Sequence, residues 1–131
     1  MTGAPVLIVD DNPTNLKLAR VALRDAGFDV RTASDAVEAL ATLEAFHPRV
    51  ILMDLQMPGM DGFALTRRLK ADPARRGIAI VAVTAYAMKG DEEKALAAGC
   101  DGYLAKPLDT RTLSTMVAHY AGLNGGKGGA A

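Results

Sequence analysis

Five short apolar runs, rich in valine and isoleucine and separated by helix-like segments, constrain the fold of this chain most strongly. Runs that are apolar throughout are typical of strands buried on both faces, and strands that alternate with helices of about 10–15 residues pair in parallel. The sequence therefore predicts an α/β, doubly wound (βα)5 fold with a five-stranded parallel sheet. The predicted strands are Val6–Val9, Phe28–Thr32, Val50–Met53, Ile78–Val83 and Gly102–Leu104.

Helix start and stop signals occupy the segments between these runs. Asp11 or Asn12 can cap the first helix, and Gly27 ends it. Asp35 with Glu38 three residues later resembles a capping box at the start of the second helix. The third helix is predicted to begin near Asp61 and to stop before Pro73, and the fourth to run from Lys89 to Ala98 with Gly99 as its stop.

Length and composition favour one domain. A chain of 131 residues can bury a hydrophobic core without disulfides, and the single cysteine, Cys100, excludes an internal one. Residues 1–121 are predicted to form this domain. Residues 122–131 are glycine-rich, bury little and are predicted to be a flexible tail.

The charge balance and the apolar runs exclude several functions. The 15 Lys and Arg residues match the 15 Asp and Glu residues, so no basic excess indicates nucleic-acid binding. No apolar stretch approaches the roughly 18 residues that span a bilayer. The segment after Met1 lacks the basic start and the long apolar run of a signal peptide, which predicts a cytoplasmic location.

Three aspartates end neighbouring strands of the predicted sheet. Asp10 and Asp11 end the first strand and Asp54 ends the third, and ligands of such sheets bind at the carboxyl ends of the strands. Carboxylates that lie so near one another resist being ionised together. A divalent cation and Lys106 would balance their negative charge. Oxygen ligands favour Mg²⁺ or Mn²⁺, beside which Asp54 can act as a nucleophile toward phosphate. Thr84, at the end of the fourth strand, can donate its hydroxyl to the same phosphoryl group.

Taken singly, each of these residues has a structural explanation. The Asp10–Asp11 pair before Asn-Pro is commonly a helix cap, Asp54 could be a turn residue that ends a strand, and Lys106 could be solvated before a loop proline. Their joint position at the ends of strands one, three, four and five favours the functional interpretation.

Over about residues 5–121 the chain resembles the receiver domain of two-component response regulators. The resemblance rests on Val-Asp-Asp-Asn at the first loop, Leu-Met-Asp-Leu-Gln-Met-Pro-Gly-Met-Asp-Gly around Asp54, Val-Thr-Ala at 83–85 and Gly-Tyr-Leu-Ala-Lys-Pro at 102–107. It implies a flavodoxin-like strand order of 2-1-3-4-5. Residues 86–107 look most like receivers of hybrid histidine kinases and of single-domain cell-division regulators.

The resemblance also implies a role for each matching residue. Asp54 would be the phosphoacceptor, and Asp10, Asp11, Asp54 and the backbone carbonyl of Gln56 would bind the cation, with Asp10 acting directly or through water. Lys106 would pair with Asp54 or its phosphate, and Lys106–Pro107 is a candidate cis peptide. The phosphodonor would be a histidine kinase or a histidine phosphotransfer protein.

A switch pair and an output surface follow from the same resemblance. Thr84 would move toward the phosphate while the ring of Tyr103 turns inward, and a downstream effector protein would read the fourth helix, fifth strand and fifth helix. Without the resemblance, Tyr103 is a half-buried strand residue.

Gln56 and Tyr86 flank the path of the hydrolytic water in our hypothesis about phosphate lifetime, whereas the alternative for Tyr86 is a surface aromatic.

Three competing interpretations remain open. Met1 and the short glycine-rich end favour a free-standing regulator, with a receiver excised from a hybrid histidine kinase as the alternative. A metal-dependent phosphohydrolase would need a general acid two residues after its nucleophile, where this chain has Gln56. A flavin-binding module would need a first loop rich in Ser, Thr and Gly instead of aspartate. We therefore expect a signalling protein without metabolic turnover.

Overall fold

The sheet and its helices alternate along the whole described chain. A computed structural model describes residues 3–55, 62–84, 91–105 and 109–122. The strands are β1 (Pro5–Val9), β2 (Asp29–Ala33), β3 (Val50–Asp54), β4 (Ala79–Thr84) and β5 (Gly102–Ala105). The helices are α1 (Pro13–Asp25), α2 (Ala36–Leu43), α3 (Gly62–Ala71), α4 (Asp91–Ala98) and α5 (Thr110–Tyr120).

All five strands are parallel, in the order β2-β1-β3-β4-β5. This order confirms the predicted fold class and places β1 and β3, which lead into the aspartates, side by side. Two strands begin one residue later than predicted. The amide of Phe28 donates to the Leu23 carbonyl and that of Ile78 donates to the Arg75 carbonyl, so both residues still belong to the preceding turns.

Two apolar layers cover the sheet. One contains buried residues of α2, α3 and α4, such as Leu43, Leu65 and Ala95. The other contains buried residues of α1 and α5, such as Leu23 and Leu113. Burial of β3 on both faces explains its continuous apolar sequence, because neither face of that strand contacts water. The described part of the chain contains no helix that is both long and apolar enough to cross a membrane.

Helix boundaries follow the predicted signals where the structure describes them, whereas the predicted starts near Asp61 and at Lys89 lie outside the described residues. Asn12, and not Asp11, caps α1: its side chain accepts hydrogen bonds from the amides of Thr14 and Asn15. Gly27 follows this helix at φ 98°, a left-handed conformation that favours glycine. Gly99 ends α4 in the same way, at φ 110°.

The capping box of α2 departs slightly from the usual arrangement. The Asp35 side chain accepts from the Glu38 amide at 2.7 Å, as the box requires. The Glu38 carboxylate, however, accepts from the amide of Ser34 at 2.7 Å, one residue before the cap. Both orphan amides are satisfied, so the segment after β2 is fixed at the carboxyl edge of the sheet.

Candidate phosphoacceptor and cation site

Asp10 and Asp11 continue from β1 at the carboxyl edge of the sheet. The Asp10 amide donates to the Ala33 carbonyl at 3.1 Å, which extends the pairing of β1 with β2 by one residue. Its side chain is buried, and its Oδ1 accepts a hydrogen bond from the Asn12 amide at 2.8 Å. Asp11 is exposed. The two carboxylates therefore occupy different surroundings, one oriented by the main chain and one open to solvent.

Asp54 is the last residue of β3 and is also buried. It pairs with Val83 of β4, whereas the ladder between β3 and β1 reaches only Met53. The next amide, that of Leu55, donates to the Val83 carbonyl at 3.1 Å. The main chain around Asp54 is thus held from the β4 side.

The structure brings the three aspartates together. One carboxylate oxygen from each of Asp10, Asp11 and Asp54 lies within 4.8 Å of the other two. At that separation two unit charges repel by roughly 3 kcal/mol at the effective dielectric of about 20 that suits protein sites. These three donors are all carboxylate oxygens, which fit Mg²⁺ or Mn²⁺ better than a softer metal.

The space beneath the carboxylates is closely packed. A cavity of about 10 Å³ lies there, lined by Asp10 and Asp54 with Asn15, Ala19 and Leu52 among its other walls. That volume is at the limit of what a single water molecule occupies. This cavity is too small for a cation and a phosphoryl group together, and Asp11 is the exposed member of the cluster.

Thr84 lies on β4, the strand next to that of Asp54, and Tyr103 lies on β5, one strand further along the sheet. Thr84 follows Val83, the ladder partner of Asp54, and is fully buried. Tyr103 pairs with Ala82, two residues before Thr84, so strand alternation assigns Thr84 and Tyr103 to the same face. Tyr103 is half-buried against the layer of α2, α3 and α4, the position expected of an ordinary strand residue.

Several predicted site residues lie outside the described residues. These are Gln56, Tyr86, Lys106 and the Lys106–Pro107 peptide. Their proposed roles in cation binding, hydrolysis, charge neutralisation and isomerism therefore stay predictions. The same holds for the domain boundary at 121 and for the flexible tail 122–131, of which only Gly122 is described.

Sequence reasoning missed the contribution of Asn12 to the site. It predicted this residue only as a possible helix cap, whereas its backbone amide also orients Asp10. A signal for this contact was present, because an aspartate commonly accepts a hydrogen bond from the amide two residues later. Asn12 therefore supports the candidate cation site and α1 at once.

Comparison with known proteins decides the family. Residues 6–118 match the response regulator receiver domain family. The chain belongs to this family. It is 39% identical over 117 residues to the polar-differentiation response regulator DivK of Brucella ovis, a match that covers 89% of this chain and 95% of DivK.

Solved receivers share the fold. The chemotaxis protein CheY4 of Vibrio cholerae superposes with a TM-score of 0.85 at 30% identity, covering 91% of this chain and 99% of that one. The receiver domain of sensor histidine kinase PA1611 from Pseudomonas aeruginosa superposes with a TM-score of 0.84 at 36% identity, and the match covers 92% of this chain and 99% of that one. That structure is described with a magnesium ion coordinated in its active-site cleft.

Membership places this receiver in two-component signalling. Receiver domains are phosphorylated by histidine kinases, act on downstream effectors and are generally not metabolic enzymes. They bind Mg²⁺ at an acidic cluster, and the cluster of Asp10, Asp11 and Asp54 is compatible with such binding and with aspartyl phosphorylation.

Proposed function

We propose that this receiver accepts a phosphoryl group from a phosphohistidine donor onto Asp54, with Mg²⁺ or Mn²⁺ as the cofactor. The observation that carries this proposal is the convergence of three carboxylates within 4.8 Å at the carboxyl edge of the sheet. A buried carboxylate beside two others is unfavourable unless a cation balances their charge. The proposed Mg²⁺ or Mn²⁺ supplies that positive charge.

Asp10, Asp11 and Asp54 would hold the cation together with the backbone carbonyl of Gln56. When bound, the cation neutralises charge that develops on the phosphoryl oxygens. The Asn12 amide donates to Asp10 Oδ1 and so holds this carboxylate in place beside the proposed cation. The exposed Asp11 marks the side from which a donor would approach.

In the transfer step an Asp54 carboxylate oxygen attacks phosphorus. A P–O bond forms as the P–N bond of the phosphohistidine breaks, and the imidazole leaves with the bonding electron pair and takes up a proton. Thr84 would donate its hydroxyl to a phosphoryl oxygen, and Lys106 would supply positive charge. The product is an aspartyl phosphate, which water later hydrolyses along a path that Gln56 and Tyr86 would flank.

Phosphorylation would change partner binding through Thr84 and Tyr103. The hydroxyl of Thr84 gains a phosphoryl acceptor only in the phosphorylated state, which biases a two-state element toward that state. The common face and adjacent strands of the two residues support this coupling. The output surface would be α4, β5 and α5, read by an effector protein.

The proposal also covers the phosphodonor and the kind of protein that contains this receiver. A histidine kinase or a histidine phosphotransfer protein would supply the phosphoryl group in the cytoplasm. We favour a free-standing regulator, and the likeness to DivK supports this choice. The likeness to the PA1611 receiver supports the alternative, a domain of a hybrid kinase.

Phosphorylation with a small phosphodonor tests the proposal. In the presence of Mg²⁺, acetyl phosphate should add about one acid-stable, base-labile phosphate per chain, as an aspartyl phosphate requires. Asp54→Asn should abolish the label, whereas Asp25→Asn, at an exposed carboxylate that ends α1, should not. Label that persists in Asp54→Asn would contradict the proposal, and continuous release of phosphate from many esters would indicate the phosphohydrolase.

A further inference from the structure

Gly62, the first residue of α3, is buried directly against the main chain of Asp54. A Cβ atom on Gly62 would collide with the Asp54 carbonyl oxygen and would lie 2.9 Å from Leu55 Cα and 3.1 Å from the Asp54 carbonyl carbon. Ordinary contacts of a Cβ atom are 3.4–4 Å. All three neighbours are backbone atoms, so rotation of a side chain cannot relieve the collision.

The Asp54 main chain has constraints on two sides. β4 holds it through the Asp54–Val83 pairing and the bond from the Leu55 amide to the Val83 carbonyl. On the β1 side the ladder ends one residue earlier, at Met53. The close approach of Gly62 therefore supplies a further limit on where the Asp54 backbone lies.

The helix cannot easily withdraw from this contact. Leu65, Thr66 and Leu69 are fully or almost fully buried beneath α3, and close-packed interiors resist rigid-body shifts. A methyl group at position 62 would thus displace the Asp54–Leu55 peptide as well as the first turn of α3. Because Asp54 shares the cluster with Asp10 and Asp11, such a displacement alters the spacing of all three carboxylates.

We propose that Gly62 is a positioning residue for phosphoryl transfer: the missing side chain lets α3 pack on the Asp54 backbone and sets the Asp54 carboxylate against Asp10 and Asp11. This inference rests on the proposed function of Asp54. Displacement of a reacting group by about 1 Å can slow a reaction about 100-fold, so a small backbone shift is enough for a large effect.

Three alanine variants separate positioning from stability. Gly62→Ala is the test. Gly77→Ala is the neutral control, because a Cβ there meets nothing within 4 Å. Gly99→Ala is the destabilised control: it imposes φ 110° on alanine and brings Cβ within 2.7 Å of Lys70 Cγ, at the opposite edge of the sheet. Each full-length variant is compared with wild type at a temperature and osmolyte concentration that keep it folded by circular dichroism.

The readouts are the Mg²⁺ dissociation constant by calorimetry and the rate of phosphate incorporation from acetyl phosphate per folded molecule. We expect Gly62→Ala to weaken Mg²⁺ binding several-fold and to slow phosphorylation at least about tenfold. Gly77→Ala and Gly99→Ala should match wild type in both. A Gly62→Ala protein that is less stable but equal to wild type in both readouts would overturn the inference.

A different result is expected if Asp54 is not a phosphoacceptor at all. In that case wild type and the Gly77→Ala control would also remain unlabelled. If Gly62→Ala yields no folded protein, wild type itself supplies the test by NMR: Mg²⁺ should shift the amide resonances of Leu55 and Gly62 along one common binding curve. A Gly62 resonance that is unmoved while that of Leu55 shifts would overturn the inference.

Discussion

Lys70 Nζ lies 2.9 Å from Asp101 Oδ2, and the same carboxylate oxygen accepts a hydrogen bond from the Ile80 amide at 2.8 Å. Lys70 also donates to the carbonyls of Arg76 at 3.1 Å and Ile78 at 2.8 Å. Its three donors thus join the end of α3 to the segments that lead into β4 and β5. This junction lies at the edge of the sheet opposite the aspartates.

Lys70→Met should lower the free energy of unfolding by about 2 kcal/mol, since it leaves two carbonyls and a carboxylate without their charged donor. Partial exposure of Asp101 limits the loss. Urea unfolding measures it, with Lys94→Met on the exposed face of α4 as the control, expected within about 0.5 kcal/mol of wild type. Equal effects of the two substitutions would show that the junction adds no stability.

Asp10→Asn should stabilise the metal-free protein by about 1–2 kcal/mol, because it removes a buried charge from the cluster but retains the Oδ1 acceptor for Asn12. The same change should remove most of the stabilisation by Mg²⁺. In wild type that stabilisation is about 2.7 kcal/mol at a concentration 100-fold above the dissociation constant. Urea unfolding in chelator and in Mg²⁺ measures both, with Asp25→Asn as the control. Equal stabilisation by Mg²⁺ in Asp10→Asn and wild type would contradict cation binding by Asp10.

Cys100 should make stability fall at alkaline pH. Burial raises the pKa of the Cys100 thiol above its ordinary 9.0, and the hydrogen bond to Thr66 offsets part of that rise. With a raised pKa the folded state keeps the proton longer than the unfolded state, so this contribution is present below about pH 9 and is lost as pH rises through the folded pKa. Unfolding free energies of wild type and Cys100→Ala between about pH 8 and pH 11 measure it. Their difference should shrink with rising pH, and parallel curves would contradict the prediction.

Thr84→Val should slow phosphate incorporation several-fold while changing Mg²⁺ affinity little, since it removes only the hydroxyl proposed to donate to the phosphoryl group. Thr66→Val is a matched control, because Thr66 is equally buried but contacts Cys100 instead. Labelling by acetyl phosphate measures the rates. Indistinguishable rates for the two variants would remove Thr84 from the proposed machinery.

Sequence alone predicted the sheet, its family and the convergence of the aspartates. The reason is that burial on both faces leaves a continuous apolar run, as in β3, and parallel order then brings the ends of β1 and β3 together. Local signals also sufficed at Gly27 and Gly99, where a helix stop depends on a few adjacent residues.

Contacts between distant residues could not be predicted in the same way. Lys70 and Asp101 are 31 positions apart, and Arg49 donates to the Ala121 carbonyl across 72 positions. No periodicity marks either pair. The approach of Gly62 to Asp54 depends on the pose of α3, which a single sequence leaves open.

Asn12 uses its side chain to begin α1 and its main chain to orient Asp10. The acidic pair and this helix consequently share one anchor. A proline at this position would lack both the cap and the amide, whereas an aspartate would keep the amide and still accept from Thr14 and Asn15. The start of α1 and the cation site therefore depend on the same residue, and redesign of the helix start for a new partner would also change the electrostatics beside Asp54.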